Sequence, residues 1–212
     1  LEPAGSWGGI VVMGFIEPLS ERPGSHLAMF HDDGRFFTSQ GTATGVFDLY
    51  QTRSKDGGLR WSAPESIFQS SEIHLCEPGV IRSPDGKTLA VLLRENARRE
   101  NSHIMFSEDE GQTWSAPRPT TLALTGDRQK AVYAPDGRLF ISYRCRSPRD
   151  HVDERPYEGD WVAWVGRWND LVNDAPGQYF VRLKQNHQAY DCAYPGVEIL
   201  PDGTIVATTY GH

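Results

Sequence analysis

Two stretches of this chain match almost residue for residue: Ser54-Lys-Asp-Gly-Gly-Leu-Arg-Trp-Ser-Ala-Pro64 and Ser107-Glu-Asp-Glu-Gly-Gln-Thr-Trp-Ser-Ala-Pro117. The shared pattern is S-x-D-x-G-x-x-W-S-x-P, and its period, 107 − 54 = 53 residues, constrains the fold more than any other feature. A second signal, Pro-Asp-Gly, recurs out of phase at positions 84–86, 135–137 and 201–203. Each copy sits between apolar runs, as a tight turn joining two strands does. Two hairpin turns in about 50 residues imply four short strands per unit, the blade of a β-propeller. The blades are expected at about 7–70, 74–122, 127–184 and, incomplete, 190–212, in one all-β propeller domain of about three and a half blades.

The expected strands are 10–16, 25–30, 47–53 and 65–68; then 77–82, 88–93, 103–106 and one near Thr120; then 130–133, 139–144, 161–165 and 179–183; then 194–200 and 205–209. Extended helical periodicity is absent. Within the recurring motif, Asp56 and Asp109 suit acceptance of backbone N–H groups inside the turn, Gly58 and Gly111 supply positive φ, and Trp61 and Trp114 are expected to plug the space between sheets. These recur once per blade and therefore read as structural.

Charge narrows the partners. The 212 residues carry 21 basic and 28 acidic side chains, a net −7, which repels nucleic acid and anionic membranes alike. The longest clean apolar stretch, Ile10 to Ile16, is far too short for a transmembrane helix, and no basic segment with an apolar run behind it opens the chain. Cys76, Cys145 and Cys192 lack any zinc-type spacing and read as buried thiols, with one disulfide plus a free thiol as the alternative; no metal site or cofactor is expected.

Both turn types fall on one face of a propeller, so a site belongs on the other, where first strands begin and second strands end. Charged and polar residues gather there: His31-Asp32-Asp33-Gly34-Arg35 after the first blade's second strand, Glu77 and Arg94 in the second blade, Arg128 and Arg144 in the third, and Asp191 with Tyr194 in the fourth. Arginines and carboxylates converging on the ends of core strands are costly to bury unless they pair or bind a ligand. Glu77 with Arg94 or Arg128 also reads as an inter-blade salt bridge, Asp32-Asp33-Gly34 as a plain turn, and Arg98-Arg99-Glu100 as a solvated loop. The segment from Arg146 to Asp160 is an insertion on this face.

The repeated motif is the Asp-box, and the chain resembles the sialidase (neuraminidase) superfamily, in particular its BNR-repeat branch, over about residues 7 to 210. That resemblance implies a six-bladed propeller and an exo-glycosidase acting on a terminal, acidic sugar such as sialic acid. It implies Asp33, or Asp32, as acid/base, and an arginine clamp on the sugar carboxylate drawn from Arg94, Arg128 and Arg144 with His31, Arg35 and Asp191 beside it. The nucleophile it implies is a tyrosine–glutamate pair from residues outside this chain, or Tyr194 assisted by Glu77. The alternatives are another carbohydrate-active enzyme acting on a uronic or neutral sugar, which Trp7-Gly8-Gly9-Ile10 in place of a first-blade arginine favours, and a non-catalytic glycan-binding propeller. A glycan substrate, a secreted or periplasmic location, and further blades from residues outside this chain or from another copy complete the expectation.

Overall fold

The computed structural model describes residues 13–34, 44–148, 157–187 and 192–211. The strands form three four-stranded antiparallel meanders and one hairpin. The first sheet is β1 (Phe15–Pro18), β2 (His26–Asp32), β3 (Asp48–Ser54) and β4 (Glu65–Phe68); the second is β5 (Leu75–Arg82), β6 (Leu89–Glu95), β7 (His103–Ser107) and β8 (Arg118–Pro119). The third is β9 (Gly126–Tyr133), β10 (Leu139–Cys145), β11 (Trp161–Gly166) and β12 (Tyr179–Lys184), and the hairpin is β13 (Gly196–Ile199) with β14 (Ile205–Thr208). Each sheet's first strand lies against the next sheet's first strand, β1 on β5, β5 on β9 and β9 on β13. This radial order around shared inner strands is that of a propeller.

The face-to-face stacking explains why Leu89 to Leu93 of β6 form a continuous apolar run. Leu89, Val91 and Leu93 point into a core shared with Leu27, Met29 and Leu49 of the first sheet, while Ala90 and Leu92 point into a core shared with Ile141, Tyr143 and Trp164 of the third. A period of two with both faces covered leaves no polar face. Each fully buried leucine contributes roughly 1.5–3 kcal/mol of transfer free energy.

The turn chemistry recurs as expected. Ser54 Oγ donates to Asp56 Oδ1 at 3.0 Å and the Arg60 amide donates to the same oxygen at 2.9 Å; Ser107 Oγ and the Thr113 amide each reach Asp109 Oδ1 at 2.8 Å. The Trp114 indole crosses from the second sheet and donates to Gln51 of the first at 3.0 Å, closing the inter-sheet groove. Trp61, in the first sheet, bonds locally: its indole donates to the Gly58 carbonyl within its own hairpin at 2.9 Å. In the third sheet a one-turn helix, α1 (Trp168–Val172), replaces the Asp-box, and Trp168 meets Phe106 edge-on across the second groove with ring centroids 6.2 Å apart. On the same face Arg82 ties the sheets together, reaching Glu17 and Glu110 at 2.8 Å each.

The strand boundaries differ from expectation where first strands begin. β5 opens at Leu75 and β9 at Gly126, ahead of 77 and 130, because a register shift lets pairing resume beyond Glu77 and Arg128. β13 opens later, at Gly196. The stretch 10–12 expected to begin the first strand lies outside the described residues. Cys76, Cys145 and Cys192 are buried thiols. Among the described residues no helix is long and apolar enough to cross a membrane.

Candidate functional site

The register shifts are β-bulges, and they build the site. Glu77 (φ 52°) and Arg128 (φ 62°) both adopt the left-handed region that favours glycine. Such residues cost of order 1 kcal/mol or more and persist where surrounding structure holds them, often at functional sites. The bulges aim both side chains at the end of the sheets opposite the Asp-boxes. Gly79 makes the arrangement possible: a Cβ there would collide with the Gln129 carbonyl of the neighbouring inner strand.

Around the bulges four guanidinium groups share two carboxylates. Arg94 Nη1 and Arg128 Nε lie 3.1 and 3.2 Å from Glu77 Oε1. Arg94 Nε (3.2 Å), Arg98 Nη2 (3.1 Å) and Arg144 Nη2 (2.6 Å) surround Asp127. Glu77 is 7% exposed and Asp127 1%. The Tyr194 ring lies against the guanidinium carbons of Arg128 and Arg144 at 4.6 and 5.3 Å, a cation–π contact on each, and stacks on Tyr210. A cleft of about 210 Å³ opens beside them, lined by Glu77, Arg128, Lys130 and Tyr194 along with Gly14 and Pro195.

Electrostatics separates the two carboxylates. Burial pushes the Glu77 carboxyl up from its usual range and Asp127 adds to this, against the pull of Arg94, Arg128 and Arg144. Burial acts the same way on Asp127, but Arg94, Arg98 and Arg144 together hold its carboxyl below the usual range. Neighbouring acids driven apart in this way can hold and release a proton separately. Three polar atoms of the cluster, Glu77 Oε2 and the Nε–H groups of Arg94 and Arg128, are buried without a hydrogen-bond partner. The 3.2 Å Nε contacts are therefore charge pairs off the hydrogen-bond line.

His31 joins the cluster through the backbone: the Glu77 amide donates to its Nδ1 at 3.3 Å. Burial, with Arg128 and Arg94 nearby, lowers its pKa to about 4, so it is a neutral acceptor at pH 7. The next residue, Asp32, is buried and faces Asp48 across the ladder. Burial first, and Asp32 second, raise the Asp48 pKa. Asp33 follows at the start of the loop, half-buried, its carbonyl accepting the Thr44 amide at 2.8 Å. Lys130 sits in the cleft wall with Nζ donating to the Gly14 carbonyl at 2.8 Å; burial and Arg128 lower its pKa.

The structure thus brings His31, Glu77, Arg94, Arg128, Arg144 and Tyr194 into one connected cluster, with Asp32 and Asp33 at the adjoining end of β2. Arg35 and Asp191 lie outside the described residues, as does most of the insertion between Arg146 and Asp160. Glu77 does form the salt bridges that the plainer reading assigned to it. The solvated-loop reading of Arg98-Arg99-Glu100 needs correction at Arg98, which turns inward to Asp127; Arg99 and Glu100 are exposed, with Glu100 3.3 Å from His103. Sequence reasoning put Asp127 and Lys130 on the site face without giving them a role, and passed over Asp48. Asp127 carried a signal, for it stands nine residues ahead of its turn aspartate, where the other repeats have Cys76 and Ala193. Among the described residues no group of three or more His, Cys, Asp or Glu is placed to hold a metal ion.

Similar proteins place this geometry. Solved structures with the same fold include a Dyadobacter fermentans protein of unknown function (18% identity, TM-score 0.68, 92% of this chain and 48% of that one). The leech intramolecular trans-sialidase superposes over 94% of this chain and 28% of its own, at 17% identity and TM-score 0.64. The Ruminococcus gnavus intramolecular trans-sialidase does so over 92% and 38%, at 18% identity and TM-score 0.62. The chain therefore spans under half the length of these structures, and at such identities the likeness is one of fold. No curated protein sequence matches it. The BNR repeat-like domain matches residues 18–205, covering both Asp-boxes and every complete sheet from the end of β1 onward, so the chain belongs to the BNR repeat-like domain family and has the sialidase type of β-propeller fold.

Proposed function

We propose that the protein is an exo-acting glycosidase that removes a terminal acidic sugar, such as sialic acid, from glycans. One observation carries this reading: four guanidinium groups face two carboxylates beside an open cleft, a local surplus of positive charge in a chain of net −7. Planar guanidinium groups suit a carboxylate, and desolvation there strengthens each contact.

In this mechanism Asp33, with Asp32 as the alternative, protonates the glycosidic oxygen as the bond to the anomeric carbon breaks. The Tyr194 hydroxyl attacks that carbon while its proton passes to Glu77; water then attacks the same carbon as the aspartate takes the water's proton, and Glu77 returns its proton to the departing Tyr194 oxygen. A neutral nucleophile suits a sugar whose own carboxylate would repel an anionic one. The unpartnered Glu77 Oε2 favours a second substrate, a uronic acid, whose ring hydroxyl beside the carboxylate could donate to it.

Fluorogenic α-sialoside, β-glucuronide and β-glucoside assayed side by side test the proposal. Turnover of an acidic glycoside and not of the neutral one is expected, and whichever acidic sugar turns over identifies the substrate. Binding of sugar acids without turnover of any glycoside would leave a glycan-binding propeller. Neither binding nor turnover would reject the reading of the site altogether.

A further inference from the structure

Among the described residues, Asp127 is the carboxylate that three of the cluster's arginines share. Arg94 comes from β6, Arg98 from the loop after it and Arg144 from β10. Arg144 donates both Nε and Nη2 to Oδ2, at 2.9 and 2.6 Å, Arg98 donates to the same oxygen at 3.1 Å, and Arg94 lies 3.2 Å from Oδ1. With these contacts made, Arg94 Nη1 extends to Glu77, and Arg144 Nη1 to the Cys192 carbonyl at 3.3 Å with its guanidinium against Tyr194. The rotamers of the two arginines touching the cleft's walls are therefore set from behind, by one carboxylate that is 1% exposed and does not line the cleft. It is not part of the repeat, since Cys76 and Ala193 fill the equivalent positions.

We propose that Asp127 is a positioning residue for the acidic ligand: it fixes Arg94 and Arg144, and through them the Glu77 and Tyr194 walls that hold Arg128, so that a sugar carboxylate in the cleft meets donors already in place. The inference rests on the proposed reading of the cluster as a sugar-acid site. Preorganised donors bind better than mobile ones because no ordering cost remains at binding. A mere counter-charge would act with the opposite sign, since neutralising it would increase the cluster's attraction for anions. A purely structural strut would change the melting temperature alone.

The test uses the whole chain with 15N-labelled arginine, as wild type, Asp127→Asn and Asp127→Glu. Titration calorimetry with N-acetylneuraminic acid and glucuronic acid gives affinity, and the arginine Nε–Hε resonances report side-chain order. Positioning predicts that Asp127→Asn weakens binding of the preferred sugar acid about tenfold or more, in keeping with the cost of small misplacements in a site. The Arg94 and Arg144 resonances should move toward free arginine. Equal or tighter binding by Asp127→Asn, or unmoved resonances, would overturn the proposal. Should that variant not fold, Asp127→Glu decides: it keeps the charge but displaces it by one methylene, so binding must still weaken and the same resonances must still shift. If wild type binds neither sugar acid, the site reading fails, while the resonances still show whether Asp127 orders the arginines.

Discussion

The two ends of the sheets use carboxylates in opposite ways. At the Asp-box end, Asp56, Asp85, Asp109, Asp136 and Asp202 each accept a backbone amide of their own turn, at 2.8–3.1 Å, and stand in solvent or at its edge. At the other end Glu77 and Asp127 are buried, belong to no repeat, and face guanidinium groups contributed by neighbouring strands and sheets. A carboxylate that does the same local job in every repeat stabilises a turn. One that is buried once, and balanced by distant cations, holds a constellation that no single hairpin could make. The contrast separates scaffold from site without appeal to any relative.

The largest expected effect tests the site end. Asp33→Asn should lower turnover of the preferred acidic glycoside by about 10²–10⁴, the usual loss for an acid/base, with the melting temperature nearly unchanged. Early melting with full turnover per folded molecule would place Asp33 in the scaffold instead, and Asp32→Asn would be examined next.

A pH effect comes next. His31 is held neutral, its pKa lowered from 6.5 to about 4, so the unfolded chain binds more protons between those values. Stability from this residue is complete above about pH 6.5 and falls as pH drops toward 4, by on the order of 3 kcal/mol in all. Denaturant melts of wild type and His31→Asn across this window check it, and equal slopes for both would remove His31 from the account.

The scaffold end gives smaller changes. Asp109→Ala should destabilise by about 1–2 kcal/mol through lost turn hydrogen bonds, with sugar-acid affinity of the folded fraction unaltered. Asp109 is depressed to about 2 by its bonds to Thr113, so its contribution is present above the unfolded value of 3.8 and disappears as pH falls through about 2. Asp56→Ala should lower the melting temperature less than Asp109→Ala. The Asp109 turn carries a tryptophan that bonds across to the next sheet, whereas Trp61 bonds within its own hairpin. The reverse order in a thermal melt would break that distinction.

Much of the architecture was legible because propeller blades are local. Four strands joined by short turns pair with sequence neighbours, so period, turn residues and alternating apolar positions suffice to place them. The missed features are those where one repeat departs from the others. The helix at Trp168 took over the Asp-box position without its Ser-x-Asp signature, conserving only an aromatic side chain in the groove. The early starts of β5 and β9 were hidden because a bulge breaks the alternation that marks a strand. Arg98 was misplaced because a charged residue in a loop ordinarily stays in water, and only a carboxylate from the next sheet draws it inward.

The sequence alone determined the repeat, the turns, the strand order within each sheet and the face on which charged strand ends collect, because each of these depends on contacts within about fifty residues. Tertiary structure alone decided which charges meet. Glu77 and Arg128 belong to different sheets and adopt backbone conformations that their residue types disfavour, and Asp127 gathers arginines from three segments. Coulomb energy depends on distance and burial, and neither is written in the spacing of residues along the chain.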